Sequence, residues 1–184
     1  MKDQKKIVDG IRLLLEGIGE DPSRPGLRDT PERVSDFWLE LTDGYGNEPK
    51  ELLTLLPGES HPEVVVVRGI EFSSVCEHHL APFFGICDIA YLPGEEGIVG
   101  ISKLGRLVDL FARRLQVQER LTSQIADALH QHARAKGVLV RVHATHSCMT
   151  MRGVRKSGSQ TVTLSKRGVY DTNPVACAEA LGLF

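Results

Sequence analysis

The period of the hydrophobic pattern changes several times along the chain, and this feature restricts the fold most strongly. Apolar residues recur every three or four positions over two segments, then alternate over two more, and this order occurs a second time. The first spacing predicts helices, and alternation with β-branched residues predicts strands. Helices are predicted at about 7–18, 30–44, 102–115 and 118–136, and strands at about 64–72, 83–92, 138–148 and 159–170.

This order of elements indicates the α+β class. Pairs of strands separated by pairs of helices favour an antiparallel four-stranded sheet with helices on one face. Within one continuous structural domain, we expect an N-terminal helical region at 1–62 and a catalytic region containing the sheet at 63–184. Such a sheet has two edges with unpaired backbone groups. Oligomerisation through those edges would protect them.

Charge and cysteine content narrow the classes of function. The net charge is −2, so nothing global indicates a nucleic-acid or membrane partner, and any anion site must be a local basic cluster. The polar segment 1–6 does not resemble a signal peptide, and no apolar run approaches the roughly 20 residues of a membrane span. We therefore expect a cytoplasmic protein. Its four cysteines would then not form disulfides, which leaves metal binding or burial for each.

Two short clusters of cysteine and histidine predict a metal site. Cys76 and His79 form a C-x-x-H pair after a predicted strand, a spacing that lets one turn direct both side chains at one ion. His146 and Cys148 end another predicted strand, where alternation would put them on the same face. Zinc prefers thiolate and imidazole, and three protein ligands leave one position open for water, as in catalytic sites.

The spacing alone leaves a structural interpretation equally open. A single C-x-x-H pair is a weak signal, and a buried cysteine such as Cys148 belongs to a core more often than to a metal site. No second C-x-x-C or C-x-x-H motif would complete a closed structural site. His78 and His146 flank the proposed ligands and are candidate acid–base groups. Cys87 and Cys177 are interpreted as structural.

Basic residues at the start of the third predicted helix indicate an anion site. Ser102 is the expected N-cap, so Lys103 and Arg106 would lie in the first turn, where the helix dipole disfavours cations. A bound anion would account for them because free backbone N–H groups point there too. A solvated basic surface accounts for them equally well. Arg152 would add positive charge close to Cys148.

Gln118 and Glu119 stand at the start of the fourth predicted helix. An acid at that position is expected from the helix dipole alone. A carboxylate could also accept hydrogen bonds from N1–H and the 2-amino group of guanine. Both interpretations remain open on the pattern alone.

Taken together, these residues resemble the GTP cyclohydrolase I family. The likeness extends from about residue 7 to residue 170, and its motifs are long and specific. It is carried by the segments 29–33, 76–83, 100–104, 114–122, 144–149 and 151–154.

The resemblance implies a fold, an activity and a set of site residues. The fold would be the tunnelling fold, or T-fold, with subunit sheets joined edge to edge into a barrel in a decamer of two pentamers. The reaction would open the imidazole ring of GTP by hydrolysis, release formate and rebuild the ring as 7,8-dihydroneopterin triphosphate, with one Zn²⁺ per subunit. The implied zinc ligands are Cys76, His79 and Cys148, the acid–base histidines His78 and His146, the guanine-binding pair Gln118 and Glu119, and the ribose and triphosphate contacts Ser102, Lys103, Arg106, Arg152 and, from a neighbouring subunit, Arg33.

The chain departs from the family pattern in two places. The segment 164–168 contains Leu164, Lys166 and Arg167 where small and apolar residues are usual, and the tail 171–184 lacks the usual basic and aromatic residues. These departures would affect packing between subunits or a regulatory partner rather than chemistry. The alternatives are a zinc-binding regulatory homologue without turnover, or a related T-fold enzyme acting on another purine or pterin. Folate, biopterin and deazapurine pathways could all use the product.

Overall fold

The computed structural model describes residues 2–184, which form two compact units, one ending at Asp43 and one running from Gly44 to Phe184. The sequence puts the end of the N-terminal helical region later, at residue 62. Residues 44–62 nevertheless belong to the second unit, where Leu55–Leu56 pairs with Ile98–Val99. The predicted α+β class is confirmed, since helices accompany a mainly antiparallel sheet.

The first unit is a pair of helices, α1 (Gln4–Gly17) and α2 (Thr30–Leu41). The Asp3 side chain accepts a hydrogen bond of 3.1 Å from the Lys6 N–H and so caps the start of α1. Arg12 Nη2 donates to Glu32 Oε1 at 2.7 Å, which joins the two helices across their contact.

The second unit contains the sheet and the other helices. Its longest helix has 15 residues, and no helix within residues 2–184 is long and apolar enough to cross a bilayer. The elements in chain order are α3 (Pro49–Leu52), β1 (Leu55–Leu56), β2 (Val65–Cys76), β3 (Ala81–Leu92), β4 (Ile98–Val99), α4 (Ile101–Ala112), β5 (Leu115–Gln116), α5 (Gln118–His132), β6 (Gly137–His146), α6 (Ser147–Thr150), β7 (Thr161–Gly168), α7 (Val169–Thr172) and α8 (Pro174–Leu181).

The main sheet has five strands in the order β5-β2-β3-β6-β7 within the described part of the chain. The four long strands are antiparallel neighbours, as the sequence predicts. The prediction of a four-stranded sheet is wrong, because the sheet contains one additional short strand, β5. Leu115 and Gln116 pair in parallel with Val75 and Cys76 at the end of β2. A two-residue strand carries no periodic signal, so the sequence could not reveal it.

Helices α4 and α5 cover one face of the sheet, where the buried apolar residues come from β2, β3 and β6. Phe83, Cys87 and Ile89 of β3 face this core, and Val140 and Val142 of β6 lie beside them. Ridges of helical side chains complete it, which is the usual way for an α+β layer to bury its apolar surface. The helical residues of this core include Leu104, Leu107, Leu121, Ile125 and Leu129.

The expectation that helices lie on one face only is wrong at one corner. Ala90 and Leu139 point to the opposite face and are buried there by the C-terminal helices, with Tyr170, Cys177 and Ala180. The tail is short, so its pattern did not predict a docked pair of helices. The assignment of Cys177 to the core agrees with this packing.

The divergent segment 164–168 is tied to α5. Arg167 Nε donates to Asp127 Oδ1 at 2.6 Å, and Arg167 Nη1 donates to Ser165 Oγ at 3.0 Å. The hydrogen bond to Asp127 raises the pKa of Arg167 above its usual value. The unusual cation therefore has a partner within its own chain.

Candidate active site

The turn after β2 carries two of the proposed metal ligands. Strand β2 ends at Cys76 and β3 begins at Ala81, and the Leu80 N–H donates to the Cys76 carbonyl oxygen at 2.9 Å. Leu80 has a φ of 51°. A non-glycine residue in this region costs about 1–3 kcal/mol, so the contacts of the turn must hold it there. Within this turn, His79 Nδ1 lies 4.0 Å from the Cys76 sulfur.

The third proposed ligand comes from a different element than the sequence predicts. Strand β6 ends at His146, and Cys148 lies in α6, a single helical turn closed by a 2.9 Å hydrogen bond from the Met151 N–H to the Ser147 carbonyl oxygen. The prediction that strand alternation puts His146 and Cys148 on one face is therefore wrong, because the extended backbone ends before Cys148.

The three side chains nevertheless meet. The sulfurs of Cys76 and Cys148 and a ring nitrogen of His79 all lie within 4.8 Å of one another. Tetrahedral zinc, with bonds of about 2.3 Å to sulfur and 2.0–2.1 Å to nitrogen, holds such atoms roughly 3.5–3.8 Å apart, so small side-chain adjustments would seat the ion. Cys76 is buried, Cys148 is partly buried and His79 is exposed, so the cluster borders solvent. This is a possible metal site with a donor set suited to zinc.

Without a bound cation, the electrostatics of the cluster favour the protonated form of the Cys148 thiol. Burial raises the pKa of the Cys148 thiol, and the neighbouring Cys76 raises it further because two thiolates repel one another. Arg152 is close enough to act in the opposite direction. A divalent cation between the two sulfurs would reverse the balance and hold both as thiolates.

His78 lies beside the cluster as an exposed imidazole. Its Nδ1 is 3.9 Å from the Cys76 sulfur, and its ring meets that of His79 edge to face with centroids 6.4 Å apart. The Glu77 carboxylate lies 4.0 Å from His78 Nε2. This position allows His78 to exchange protons with a ligand arriving from solvent.

His146, by contrast, is partly buried and held on two sides. Its ring stacks on that of Phe83, with centroids 4.5 Å apart and planes 5° from parallel, and the two residues are register partners across β3 and β6. Its Nε2 lies 2.8 Å from Gln118 Oε1. Burial lowers the pKa of His146, and the negative charge of Glu119 partly offsets this. The net lowering of the pKa favours the neutral form of the ring.

The register between β3 and β6 is enforced by a close approach of the two backbones. Gly85 pairs with Ala144, and a Cβ atom at residue 85 would lie 1.8 Å from the His143 carbonyl oxygen. Only glycine fits there. This contact fixes the pairing two residues away, where Phe83 faces His146.

Arg120 supports the turn that carries two of the proposed metal ligands, and the sequence analysis did not predict this role. Its guanidinium pairs with the Glu77 carboxylate, and it also donates to Gln116 Oε1 at 2.9 Å and to the Leu115 carbonyl oxygen at 3.0 Å. The Glu77 N–H donates to the Gln116 carbonyl oxygen at 3.0 Å. Glu77 and Arg120 each sit within a recognised motif, but their partnership depends on the parallel β2–β5 pairing, which the sequence did not reveal.

The basic residues predicted to bind an anion lie at the start of α4. The helix begins slightly earlier than predicted, because Gly100 is the N-cap and Ser102 is already helical. No side chain caps this end and its first turn contains no acid. The Lys103 N–H donates to the Gly100 carbonyl oxygen at 2.8 Å, so a ligand could use only the remaining N–H groups of the first turn. Within residues 2–184, no hydrogen bond or ion pair links these residues to the cysteine–histidine cluster.

Arg33 lies on α2 of the first unit. Its guanidinium is 3.3 Å from the Asp29 carboxylate and its side chain is 76% exposed. In this chain Arg33 is thus a surface cation, and nothing within its own unit buries it.

Comparison with known proteins identifies relatives over the whole chain. The model of the family described as GTP cyclohydrolase I matches residues 7–184. A GTP cyclohydrolase 1 from Carboxydothermus hydrogenoformans is 49% identical over 183 residues, covering 100% of this chain and 95% of the relative. A protein of the same name from Geobacillus kaustophilus is 50% identical over 173 residues, covering 94% of this chain and 92% of the relative. Another from Streptococcus mutans is 46% identical over 183 residues, covering 100% of this chain and 95% of the relative.

Among solved structures, the apo form of the archaeosine synthase QueF-Like is similar to part of the chain. The superposition has a TM-score of 0.49 and 16% sequence identity, and it covers 59% of this chain and 97% of that one.

Proposed function

Because the chain belongs to the GTP cyclohydrolase I family and is an enzyme of the hydrolase class, we propose that it converts GTP to 7,8-dihydroneopterin triphosphate in a zinc-dependent reaction. The reaction adds water across the imidazole ring of guanine, releases C8 as formate by a second hydrolysis, and closes a new ring onto the rearranged ribose carbons. The resemblance to the GTP cyclohydrolase I family, predicted from the sequence, is confirmed by the family model and the relatives.

The observation that carries this proposal is the meeting of Cys76, His79 and Cys148 within 4.8 Å. A zinc ion held by these three residues would supply Lewis-acid chemistry and a water molecule whose pKa is lowered towards neutrality. Two sulfurs and one imidazole match the preference of zinc, and three protein ligands leave a position for water. The strained turn at Leu80 supports a functional role for this segment.

Proton transfer is assigned to His78 and His146. An imidazole titrates near neutral pH and can both accept and donate protons in successive steps. His78, exposed beside the cluster, is suited to exchange with solvent. The partly buried His146, whose lowered pKa favours the neutral ring, is suited to act as a base towards a bound ligand. Removal of either histidine should leave zinc bound while slowing turnover.

Substrate binding is assigned to α4, α5 and the loop after α6. Glu119 is exposed at the start of α5, close enough to His146 to influence its charge, and its carboxylate would accept from N1–H and the 2-amino group of guanine. Gln118 is next to it in sequence. The ribose and triphosphate would be bound by the uncapped start of α4 and by charged side chains. These residues are Ser102, Lys103, Arg106, Arg152 and, from a neighbouring subunit, Arg33.

Assembly is proposed to follow the T-fold pattern, with sheets joined edge to edge into a barrel in a homodecamer. In the described chain, β2 has a partner on its outer side only at Val75 and Cys76, and β7 is an edge strand. Such edges pair readily with a second copy. Large apolar side chains are also exposed in a single chain, and an interface would bury them. They include Leu13, Leu14, Ile18, Phe37, Phe84, Ile86, Val162 and Leu164.

The test is incubation of the zinc-loaded protein with GTP, with formate measured enzymatically and the pterin measured by fluorescence after oxidation. Equimolar formate and pterin are expected, whereas ATP should give neither. Formate without pterin would indicate a related ring-opening enzyme, and zinc binding without either product would indicate a regulatory homologue. A cytoplasmic location is part of the proposal, since zinc-binding thiolates persist in a reducing compartment.

A further inference from the structure

The hydrogen bonds around Gln118 allow only one orientation of its side-chain amide. The residue is 1% exposed. Its Nε2 lies 3.1 Å from the Val142 carbonyl oxygen, 3.0 Å from the Thr161 carbonyl oxygen and 3.1 Å from Thr163 Oγ1. Carbonyl oxygens only accept hydrogen bonds, so the amide atom facing them must be the amino group. The amide oxygen must then face His146.

A pair of threonines fixes the direction of the same network. Thr122 Oγ1 donates to the Gln118 main-chain carbonyl oxygen at 2.7 Å, which uses its single hydrogen. Thr163 Oγ1, 2.6 Å from Thr122 Oγ1, must therefore donate to it. The Thr163 hydroxyl is left to accept from the Gln118 amino group, which agrees with the orientation required by the two carbonyls.

This network determines which nitrogen of His146 carries hydrogen. Gln118 Oε1 can only accept, so His146 Nε2, 2.8 Å away, must donate. Stacking on Phe83 fixes the plane of the ring. In the neutral ring, the hydrogen is thus on Nε2 and the lone pair is on Nδ1.

We propose that Gln118 is a positioning residue for His146, which fixes the Nε2–H tautomer and leaves Nδ1 as the nitrogen that exchanges protons during the reaction. This inference rests on the proposed function for the identity of the reaction. It revises the role implied for Gln118 by the family resemblance, since the side chain is 1% exposed and both its oxygen and its amino group already have partners within the chain. Selection of guanine then depends on Glu119.

The kinetic test uses Gln118→Met, which keeps the volume but removes the hydrogen bonds, with Glu119→Gln as the comparison. Gln118→Met should lower kcat about 100-fold, the lower range for loss of a proton-transfer group, while KM, zinc content and the preference for GTP over inosine triphosphate change less than about threefold. Inosine lacks the 2-amino group, so Glu119→Gln should reduce that preference. If Gln118→Met raises KM with kcat retained, or reduces the preference as Glu119→Gln does, Gln118 contacts the base and the proposal is wrong.

Thr163 provides a second test should Gln118→Met not fold. Thr163→Val removes one of the three acceptors around the Gln118 amino group and the hydrogen bond to Thr122. This should loosen the amide and lower kcat severalfold with little change in KM, whereas Thr163→Ser keeps the hydroxyl and should restore it. Equal kcat values for the two variants would contradict the proposal.

The tautomer can also be determined without turnover, by ¹⁵N NMR of histidine-labelled wild-type protein. Hydrogen on Nε2 is expected, and hydrogen on Nδ1 would overturn the proposal even if GTP is converted as proposed.

Discussion

Arg120, near the start of α5, pairs with Glu77 in the turn between two proposed metal ligands. The same guanidinium bonds to Gln116 Oε1 and the Leu115 carbonyl oxygen, so it joins the turn to the segment that leads into α5. We expect Arg120→Gln to loosen the turn and weaken zinc binding about tenfold, as loss of outer-shell support typically does. Competition with a chelator measures the affinity. Arg134→Gln, which breaks the pair with Glu96, is the matched control, and equal affinities would show that the brace is unimportant.

Loss of Cys148 should remove the metal. With two ligands left, Cys148→Ala should contain far less than one zinc per subunit by elemental analysis and should not convert GTP. Cys177→Ala is the control, because Cys177 is buried in the C-terminal cluster and should affect stability rather than zinc. A fully zinc-loaded Cys148→Ala protein would exclude Cys148 as a ligand.

Removal of the metal should change the reactivity of Cys148 but not of Cys87. Zinc-bound thiolate is shielded from alkylation, whereas the free, partly exposed Cys148 should react with iodoacetamide at alkaline pH after chelation. Burial raises the pKa of Cys87 far above the usual range, so it should stay unmodified in both states of the folded protein. Mass spectrometry of tryptic peptides gives both values. Equal labelling of Cys148 with and without zinc would contradict the prediction.

The free energy of unfolding of the metal-free protein should decrease as the pH is lowered, and His146 should account for part of this decrease. Because burial lowers the pKa of His146 in the folded state below its ordinary value of 6.5, the unfolded chain takes up a proton first as the pH falls. The free energy of unfolding should therefore decrease below about pH 6.5. Urea titrations of wild type and His146→Asn at pH 7.5 and 5.5 compare the slopes. The variant should lose less stability over this interval, and an equal or larger loss would be inconsistent.

Gly85 should tolerate no side chain. The Cβ atom of Gly85→Ala would collide with the His143 carbonyl oxygen and separate β3 from β6, so we expect insoluble protein or a loss of several kcal/mol, at the upper end for single substitutions. Gly10→Ala is the control, since no other atom lies within 4 Å of the new Cβ and alanine favours the helix by up to about 1 kcal/mol. Thermal unfolding of both variants measures the contrast, and similar melting temperatures would disprove the close approach.

Much of the fold could be predicted from the sequence because the long elements have clear periods. The alternation in 83–92 and 138–146 and the helical stripe at Leu121, Ile125 and Leu129 correspond to β3, β6 and α5. Leu115–Gln116 and Ser147–Thr150 each span about one period of a strand or a helix, which is too short for a repeating pattern to show, so β5 and α6 could not be found in this way. The docking of α7 and α8 depends on contacts distant in sequence.

In the candidate site, too, contacts between residues close in sequence could be predicted, and contacts made by tertiary structure could not. Cys76 and His79 share one turn, so their spacing in sequence was informative. Cys148 joins them through tertiary structure, and its proximity was expected for the wrong reason, strand alternation. The partners of His146 could not be predicted at all. Phe83 reaches His146 from the neighbouring strand β3, and Gln118 reaches it from the start of α5. The register of β3 with β6 places Phe83 against His146.

The origin of the metal ligands also sets an order of events during protein synthesis. Cys76 and His79 leave the ribosome early, whereas Cys148 follows only after α4, α5 and β6 have been made. Two ligands on a flexible nascent chain hold an ion weakly, and the third becomes a neighbour only when β3 has paired with both β2 and β6. Capture of a metal by this cluster would therefore be a late step that follows formation of the sheet, and a chain released before residue 148 would lack a complete site.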